Sequence, residues 1–295
     1  MKLPTAAVMA LLAATAAAGG QEPAPTPSAS DCFANLTGFS GKLRAVFLEP
    51  EDAARLKAAG AIAADPGVYS LTGAKGLSGG LALLVLTPFS EKVAGKIDGY
   101  EMGVWPAEQG AKTPGAAYAN PRGFVKLAKD TAKVPVSEHF SAGDFLTKNQ
   151  WEVWPKYLVL DPRLLDKLEL TIAQLNAMGY PVKGLHVMSG FRTPRYNDLD
   201  LGPKARSAVS RHMYGDAADV YPDDDRDDRM DDLNHDGRVN EEDARIVFRA
   251  AEEVEKRFPA LVGGVAIYRA TSAHGPFVHI DCRGKRARWG VGFGD

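Results

Sequence analysis

Two short segments with side chains of metal-ligating types constrain the fold of this chain more than any other feature. The first, SRHMYGDAADV at 210–220, contains His212 and, seven residues later, Asp219. The second, FVHID at 277–281, has His279 at its centre. Two imidazoles and one carboxylate form a three-point ligand set for zinc and leave a fourth position for water. A fold that uses them must bring together segments sixty residues apart.

Each of these three residues, taken alone, also has an ordinary structural explanation. A histidine is common at surfaces and in strand cores, and an aspartate often caps a turn. The small residues Gly215, Ala217 and Ala218 favour a metal site, because they let the backbone pass close to an ion without crowding it. We therefore predict that the two histidines and the aspartate hold zinc together.

The neighbouring segments extend this pattern into a resemblance. SGFRTPRYN at 189–197, SRHMYGDAADV and HGPFVHID resemble the zinc D-Ala-D-Ala carboxypeptidases and their murein endopeptidase relatives, which share a fold with lysostaphin-type peptidases and the hedgehog signalling domain. EHFSAGDFLT at 138–147 is similar to the segment that often opens this domain in bacterial members. The resemblance covers about residues 137–292. It implies a zinc metallopeptidase that hydrolyses peptidoglycan stem peptides or cross-links with a metal-activated water.

The resemblance also implies roles for residues around the zinc ligands. Arg192, in SGFRTP, matches an arginine that holds substrate or stabilises the oxyanion, and a guanidinium keeps its charge while doing so. Many members carry a carboxylate general base three residues before the last zinc histidine, where this chain has Pro276. We predict that His274 either takes over proton transfer or stabilises the transition state. Asp281 is expected to orient a ligand, and Ser210 to help position substrate or to form a turn.

A second metal pattern, DLNHDGRVNEED at 232–243, matches a calcium loop of the kind found in dockerin modules. Gly237 stands at the sharp turn, and helix-forming residues follow directly. The alternative is a solvated acidic turn, since 223–232 is a run of charges. The predicted calcium ligands are Asp232, Asn234, Asp236, the backbone carbonyl of Arg238, Asn240 and Asp243.

Composition and the N-terminus indicate where such a protein acts. The net charge of -2 gives no electrostatic reason to expect nucleic acid as a partner. The resemblance implies peptidoglycan peptides as the partner. Lys2 and the short apolar run at 6–18 are typical of a signal peptide, which predicts export to the periplasm or beyond, without a membrane-spanning segment after its removal. The two cysteines, Cys32 and Cys282, are equally consistent with a disulfide and with two free thiols.

Periodicity predicts the elements that carry these motifs. Asp161 and Pro162 are expected to start a helix that ends near Gly179, and a second helix is expected at 241–258. Strands are expected at 182–188, 262–268 and 277–281, which makes this half α+β with an antiparallel sheet. In the first half, strands are expected at 43–48, 80–89 and 101–105, and a helix at 51–60.

The predicted organisation has a small strand-rich domain of unknown role before a hedgehog/D-Ala-D-Ala-peptidase-like domain. The boundaries are a signal peptide at 1–20, a linker at 21–30, the small domain at 31–118, a connector at 119–136 and the zinc domain at 137–295. The main alternative function is a non-catalytic zinc-containing cell-wall-binding protein that lost its base at Pro276. An extracellular peptidase acting on ordinary proteins is a third possibility, and the sequence does not select the wall bond that is cut.

Overall fold

A computed structural model describes residues 2–4, 38–58, 65–72, 81–113, 115–198 and 207–293. In this part of the chain the helices and strands are mixed along the sequence, which confirms the α+β class. The α-helices are α1 (Pro50–Ala58), α2 (Pro162–Ala177), the short α3 (Pro194–Asn197) and α4 (Glu241–Arg257). Short 3-10 turns lie at Phe89–Glu91, Pro106–Gln109, Ala116–Tyr118, Ala142–Phe145, Arg211–Tyr214 and Pro259–Leu261.

Helix α2 begins where local chemistry predicts it. The side chain of Asp161 accepts a hydrogen bond from Arg163 N, and Pro162 fills the first helical position, where its missing N–H costs nothing. The helix ends two residues before Gly179, whose φ of 86° suits the chain reversal. The apolar face of α2 packs against α4, and α4 in turn covers two strands of the largest sheet. This layer of helices supports the sheet from one side.

The largest sheet has the strand order β10-β11-β13-β12-β14. Its first four strands pair antiparallel, as predicted, and β14 adds to β12 in parallel at the edge. Alternation along each strand directs one set of side chains toward the helices and the other toward the opposite face. The strands are β10 (His186–Ser189), β11 (Ala217–Tyr221), β12 (Gly264–Tyr268), β13 (Phe277–Asp281) and β14 (Ala287–Gly290).

Three smaller sheets precede or flank this one, with the orders β1-β3-β4-β2, β5-β8-β9 and β6-β7. Strand β1 lies within the segment predicted from the sequence to be a signal peptide. The bounds are β1 (Lys2–Pro4), β2 (Ala45–Leu48), β3 (Gly67–Thr72), β4 (Leu81–Val85), β5 (Thr87–Pro88), β6 (Lys96–Ile97), β7 (Tyr100–Glu101), β8 (Gly123–Leu127) and β9 (Lys156–Leu158).

The predicted connector at 119–136 contains strand β8, which is buried and pairs with β5 on one side and β9 on the other. The expected strand at 101–105 is present only at its first residue, because Trp105 leaves the ladder and donates its indole N–H to Met213 O at 3.0 Å. One hydrophobic cluster contains both Leu84, from the predicted small domain, and Val265, from the predicted zinc domain. The core therefore continues across the predicted domain boundary.

Other predictions concern the ends of the chain and the membrane. The predicted linker, most of the predicted signal peptide and Cys32 lie outside the described residues. Cys282 is buried with a free thiol, and burial raises the pKa of that thiol. Within the described ranges, no helix has the length and apolar character needed to cross a membrane.

Candidate metal centre

Sheet register brings the three predicted ligands together. Asp219 in β11 lies directly opposite His279 in β13, so both side chains project from the same face of the sheet. The 3-10 turn Arg211–Tyr214 precedes β11, and its His212 reaches the same point. The ligand atoms of these three residues lie within 4.8 Å of one another, and all three side chains are buried.

The geometry within this cluster is that of three ligands facing a common point. His279 Nδ1 lies 2.9 Å from Asp219 Oδ1, and His212 Nε2 lies 3.3 Å from the same oxygen. The two ring nitrogens are 3.2 Å apart. Two imidazole nitrogens and one carboxylate oxygen thus converge, which is the donor set expected of a zinc or related transition-metal site. The cluster could hold a metal ion, although this donor set does not identify which one.

The second nitrogen of each histidine has an acceptor, which supports a ligand role. His212 Nδ1 donates to Gly190 O at 2.7 Å, and His279 Nε2 donates to Asp281 Oδ2 at 3.0 Å. Metal-binding histidines usually have such a partner, because it fixes the tautomer and turns the other nitrogen toward the ion. His212 would therefore use Nε2 and His279 would use Nδ1. These two hydrogen bonds support a ligand role independently of the residue spacing in the sequence.

Burial and charge set the protonation of the cluster. Burial lowers the pKa of His212 to about 4, so its imidazole is neutral at neutral pH. Burial acts in the same direction on His279, but hydrogen bonds with Asp219 and Asp281 outweigh it and raise the pKa. Burial alone would raise the pKa of Asp219, yet the charges of His212 and Arg192 hold it well below its usual range. Metal binding would displace the proton of His279 Nδ1, so metal affinity should fall as the pH drops through that raised pKa.

Asp281 anchors the outer side of the centre. Its carboxylate is fully buried and accepts from His279, from Gly264 N at 2.7 Å and from Arg283 Nε at 2.9 Å. Burial alone would raise the pKa of Asp281, but the hydrogen bonds from His279 and Arg283 hold it far below its usual range. Asp281 thus stays ionised and can orient His279, the geometry expected of the role assigned to it from the sequence.

Arg192 lies beside the ligand carboxylate. Its Nη2 donates to Asp219 Oδ2 at 2.5 Å and its Nε donates to Ser189 Oγ at 2.8 Å. Asp219 therefore presents one oxygen to the histidines and the other to the guanidinium. Among the hydrogen bonds of the described residues, none uses Nη1 of Arg192, which leaves that group available to a ligand at the centre.

The remaining predicted site residues lie farther from the cluster. Ser210 caps the turn that carries His212, but its side chain makes no capping hydrogen bond. His274 precedes β13, where its Nδ1 donates to Gly275 O at 2.8 Å and its ring packs edge-on against Phe277 at 5.0 Å. The ring nitrogens of His274 do not belong to the group of converging ligand atoms. The structure therefore brings five predicted residues together, and among the described contacts no hydrogen bond or ring contact joins the side chain of Ser210 or His274 to the three ligands.

Among the small residues between His212 and Asp219, Gly215 has a physical reason beyond the one predicted. Gly215 has a φ of 71°, and a Cβ there would lie 2.3 Å from Val159 O. Ala217 and Ala218 are fully buried in β11. Close packing against the backbone at 159–160 requires the absence of a side chain at Gly215.

The predicted calcium loop at 232–243 precedes α4 and includes its first three residues. Asp232 accepts from Asp236 N at 3.2 Å and from Gly237 N at 2.8 Å. Asp243 is fully buried and accepts from Leu233 N and from Asn240 N, both at 2.9 Å. These bonds fold the loop as a compact acidic turn that closes onto the helix.

The side chains of loop 232–243 give less support for a metal site than those of the metal centre do. Within the described residues, three groups of His and Asp side chains converge closely, and loop 232–243 is not among them. Apart from the centre, these groups are His186 with Asp223 and Asp228, and Asp223 with Asp225 and Asp227. The aspartates of both groups lie in the segment interpreted from the sequence as a charge run, and His186 lies in β10.

Sequence reasoning missed several residues that surround the centre. Arg283 binds Asp281, and Trp289 packs its ring 5.1 Å from that of His279. Ser189 and Gly190, which hold Arg192 and His212, lie inside a motif already noted. Arg283 follows Asp281 by two residues and was open to prediction. Trp289 was not, because its approach depends on the pairing of β14 with β12.

We expect Asp281→Asn to weaken zinc binding about 10–100-fold while the protein stays folded, because the neutral amide holds His279 less firmly than the carboxylate does. Competition with a chromogenic chelator measures the affinity. Asp161→Asn is a matched control, since it makes the same change at a helix cap that contacts none of the three ligands. Equal affinity in Asp281→Asn and the parent would show that the carboxylate does not support the metal.

Fold and site together define an α+β protein with a buried two-histidine, one-aspartate centre suited to a metal ion. Comparison with family models, with curated proteins and with solved structures gave no match.

Proposed function

We propose that the protein is a zinc metallopeptidase that hydrolyses peptide bonds of peptidoglycan stem peptides or cross-links. The observation that carries the proposal is the convergence of His212, Asp219 and His279, with the outer nitrogen of each histidine held by an acceptor. A zinc ion bound there would lower the pKa of a water to about 7 and polarise the scissile carbonyl. The motifs around these ligands resemble those of wall peptidases with a hedgehog-type fold, and the antiparallel sheet is compatible with that fold.

The surrounding residues supply orientation and charge. Arg192 is anchored through two of its nitrogens and keeps Nη1 for the carbonyl oxygen or carboxylate of a bound peptide. Asp281 and Gly190 hold the histidines in the tautomers that ligation requires. Because these partners are buried and already in place, the centre needs little reorganisation as charge develops on the substrate.

His274 is the proposed proton-transfer residue. Its Nδ1–H is engaged by Gly275 O, so Nε2 of the neutral ring carries the lone pair that can accept a proton. The His274 ring packs on Phe277, and no described contact joins it to the metal ligands. This observation favours an alternative function. That alternative is a non-catalytic zinc-containing protein that binds the cell wall.

Digestion of purified peptidoglycan separates the two. The parent protein should release peptide fragments detectable by mass spectrometry, and a chelator followed by zinc should abolish and restore them. Binding to sedimented peptidoglycan without any new fragment would favour the non-catalytic protein. Cleavage of casein with no release from peptidoglycan would favour a general extracellular peptidase.

We also propose that loop 232–243 binds calcium as a structural ion. Its support is the full match of ligand types to the loop positions, together with the turn at Gly237, whose φ is 82°. The ligands would be Asp232, Asn234, Asp236, the carbonyl of Arg238, Asn240 and Asp243, with the carboxylates turning from backbone amides toward the ion. The ion would join the loop to the first turn of α4, which packs on the sheet that holds the centre.

We expect millimolar calcium to raise the melting temperature of zinc-loaded protein, because a ligand that binds only the folded state stabilises it by about 2.7 kcal/mol at 100 times its Kd. Thermal melts with and without calcium test this. Asp232→Ala should remove the shift, whereas Glu241→Gln, an exchange within the loop at a position without a ligand role, should keep it. An unchanged melting temperature in the parent would leave the acidic turn as the better interpretation.

The proposed place of action is the periplasm or the outside of the cell. The support is the apolar run at 6–18 after Lys2 and the wall peptides as substrate.

A further inference from the structure

An aromatic wall made of Trp289, Tyr268 and Phe277 borders the metal centre on the face of the sheet that carries His279. Register explains its position: His279 pairs with Ala266, and Ala266 pairs with Trp289. Residues that pair across adjacent strands project to the same side, so His279 and Trp289 share one face. Tyr268 follows Ala266 by two residues and Phe277 precedes His279 by two, which puts both on that face as well.

Small side chains on β12 let the indole of Trp289 reach the centre. Only the methyl group of Ala266 stands between Trp289 and His279 along the row, and the two ring centroids are 5.1 Å apart. A Cβ on Gly264 would lie 2.7 Å from Cη2 of Trp289, so this position also requires a residue without a side chain. The wall is therefore built into the sheet and does not depend on a loop.

The hydroxyl of Tyr268 has one hydrogen left to donate. Trp289 Nε1–H donates to this hydroxyl at 2.8 Å, and because an indole nitrogen can only donate, the phenol oxygen is the acceptor. Among the described residues, none accepts the hydrogen of Tyr268. The ring stacks on Phe277 with centroids 4.6 Å apart and stays 37% exposed, so a ligand can reach the hydroxyl.

The Tyr268 hydroxyl lies on the face of the sheet that carries the ligands, because it accepts from Trp289, whose ring packs 5.1 Å from that of His279. Burial raises the pKa of Tyr268 and the hydrogen bond from Trp289 lowers it, while Asp219 raises it and Arg192 lowers it through their charges. The net direction is upward, so the phenol keeps its proton at neutral pH and remains a donor. Arg192 and Tyr268 are thus two hydrogen-bond donors, one charged and one neutral, on the face of the sheet that carries the ligands.

We propose that Tyr268 binds substrate by donating its hydroxyl hydrogen to an oxygen of the peptide held at the metal centre, and that Trp289 is a positioning residue that holds this hydroxyl in place. The proposal rests on the proposed peptidase function. It adds a neutral donor to the charged one at Arg192, a pair that can share the negative charge of a tetrahedral oxygen. Deleting the hydroxyl of Tyr268 removes none of the three metal ligands.

The test uses the full protein loaded with cobalt, whose visible spectrum reports ligands at the centre, and acetohydroxamate as the probe. Tyr268→Phe keeps the stack on Phe277 and should weaken acetohydroxamate binding about threefold to tenfold, the effect of one hydrogen bond, with unchanged cobalt affinity. Tyr157→Phe is the matched control, because it deletes a hydroxyl bonded to Asp98 away from the centre. Parent-like binding by Tyr268→Phe would overturn the proposal.

Coupling between the two residues tests the role of Trp289. Trp289→Phe should weaken acetohydroxamate binding in the parent but have little further effect when added to Tyr268→Phe, since the indole acts through the hydroxyl. The same loss in both backgrounds would overturn the positioning role.

Peptide hydrolysis separates this inference from the peptidase proposal. If the parent cleaves wall peptides, Tyr268→Phe should lower kcat more than it raises KM, because the oxygen gains charge in the transition state. If the parent cleaves none but Tyr268→Phe still binds acetohydroxamate more weakly, the peptidase proposal fails and the donor role of Tyr268 stands.

Discussion

Replacing His212 with alanine should leave the protein without its metal and without peptide hydrolysis. The imidazole is buried and supplies one of three ligands, so its loss removes a third of the donor set and leaves Gly190 O without its partner. Metal analysis should fall from about one zinc per chain to about a tenth or less, since a two-ligand site holds zinc far more weakly. Release of peptides from peptidoglycan should fall to the level seen with a chelator.

His235→Asn is a matched control for this experiment. It removes another histidine, outside the cluster, at a position whose φ of 59° asparagine tolerates well. It should keep zinc and activity. Full zinc occupancy in His212→Ala, with folding verified by circular dichroism, would show that the converging side chains do not form the metal site.

Replacing His274 with alanine should keep the zinc and lower kcat for wall peptides by about 10²–10⁴-fold, the usual contribution of one general acid–base group. The structure gives this prediction its specific form. Because Nδ1 is bonded to Gly275 O, the group that exchanges the proton is Nε2. Metal content and single-turnover rates measured on the same preparation distinguish lost chemistry from lost zinc.

Two other residues serve as comparisons for the base. His186 stacks on Tyr221 and lies 3.8 Å from Asp223, and Asp216 is buried in an ion pair with Arg211. His186→Gln should therefore keep the parent rate. A parent rate in His274→Ala, together with a loss in His186→Gln, would move the proton-transfer role to His186. Parent rates in both variants would reject both His274 and His186 as the base.

Much of the architecture near the centre follows from local sequence. Asp161 and Pro162 determine the start of α2, and the apolar spacing of 241–258 predicts α4 to within a residue. FVHID forms β13 at the predicted residues. These predictions succeed because capping and periodicity act over a few residues, where sequence neighbours are also spatial neighbours.

Strands in the first half were predicted less well. Strand β8 lies in a stretch interpreted as a connector, since it pairs with residues of β5 and β9 that are 29 to 37 positions away in the sequence. The segment at 101–105 loses its strand because Trp105 turns toward Met213. In both places a long-range contact, invisible to a local pattern, outweighs local preference.

The sequence by itself determined the ligand types, two imidazoles and a carboxylate, and the strand that carries the last of them. Only the tertiary structure decided that Asp219 faces His279, that Asp281 and Gly190 occupy the outer nitrogens, and that Trp289 reaches the centre. The physical reason is sheet register: a shift by one residue would turn every side chain of a strand to the opposite face. Register depends on packing along the whole strand and on the small residues Gly264 and Ala266, so spacing within one motif cannot specify it.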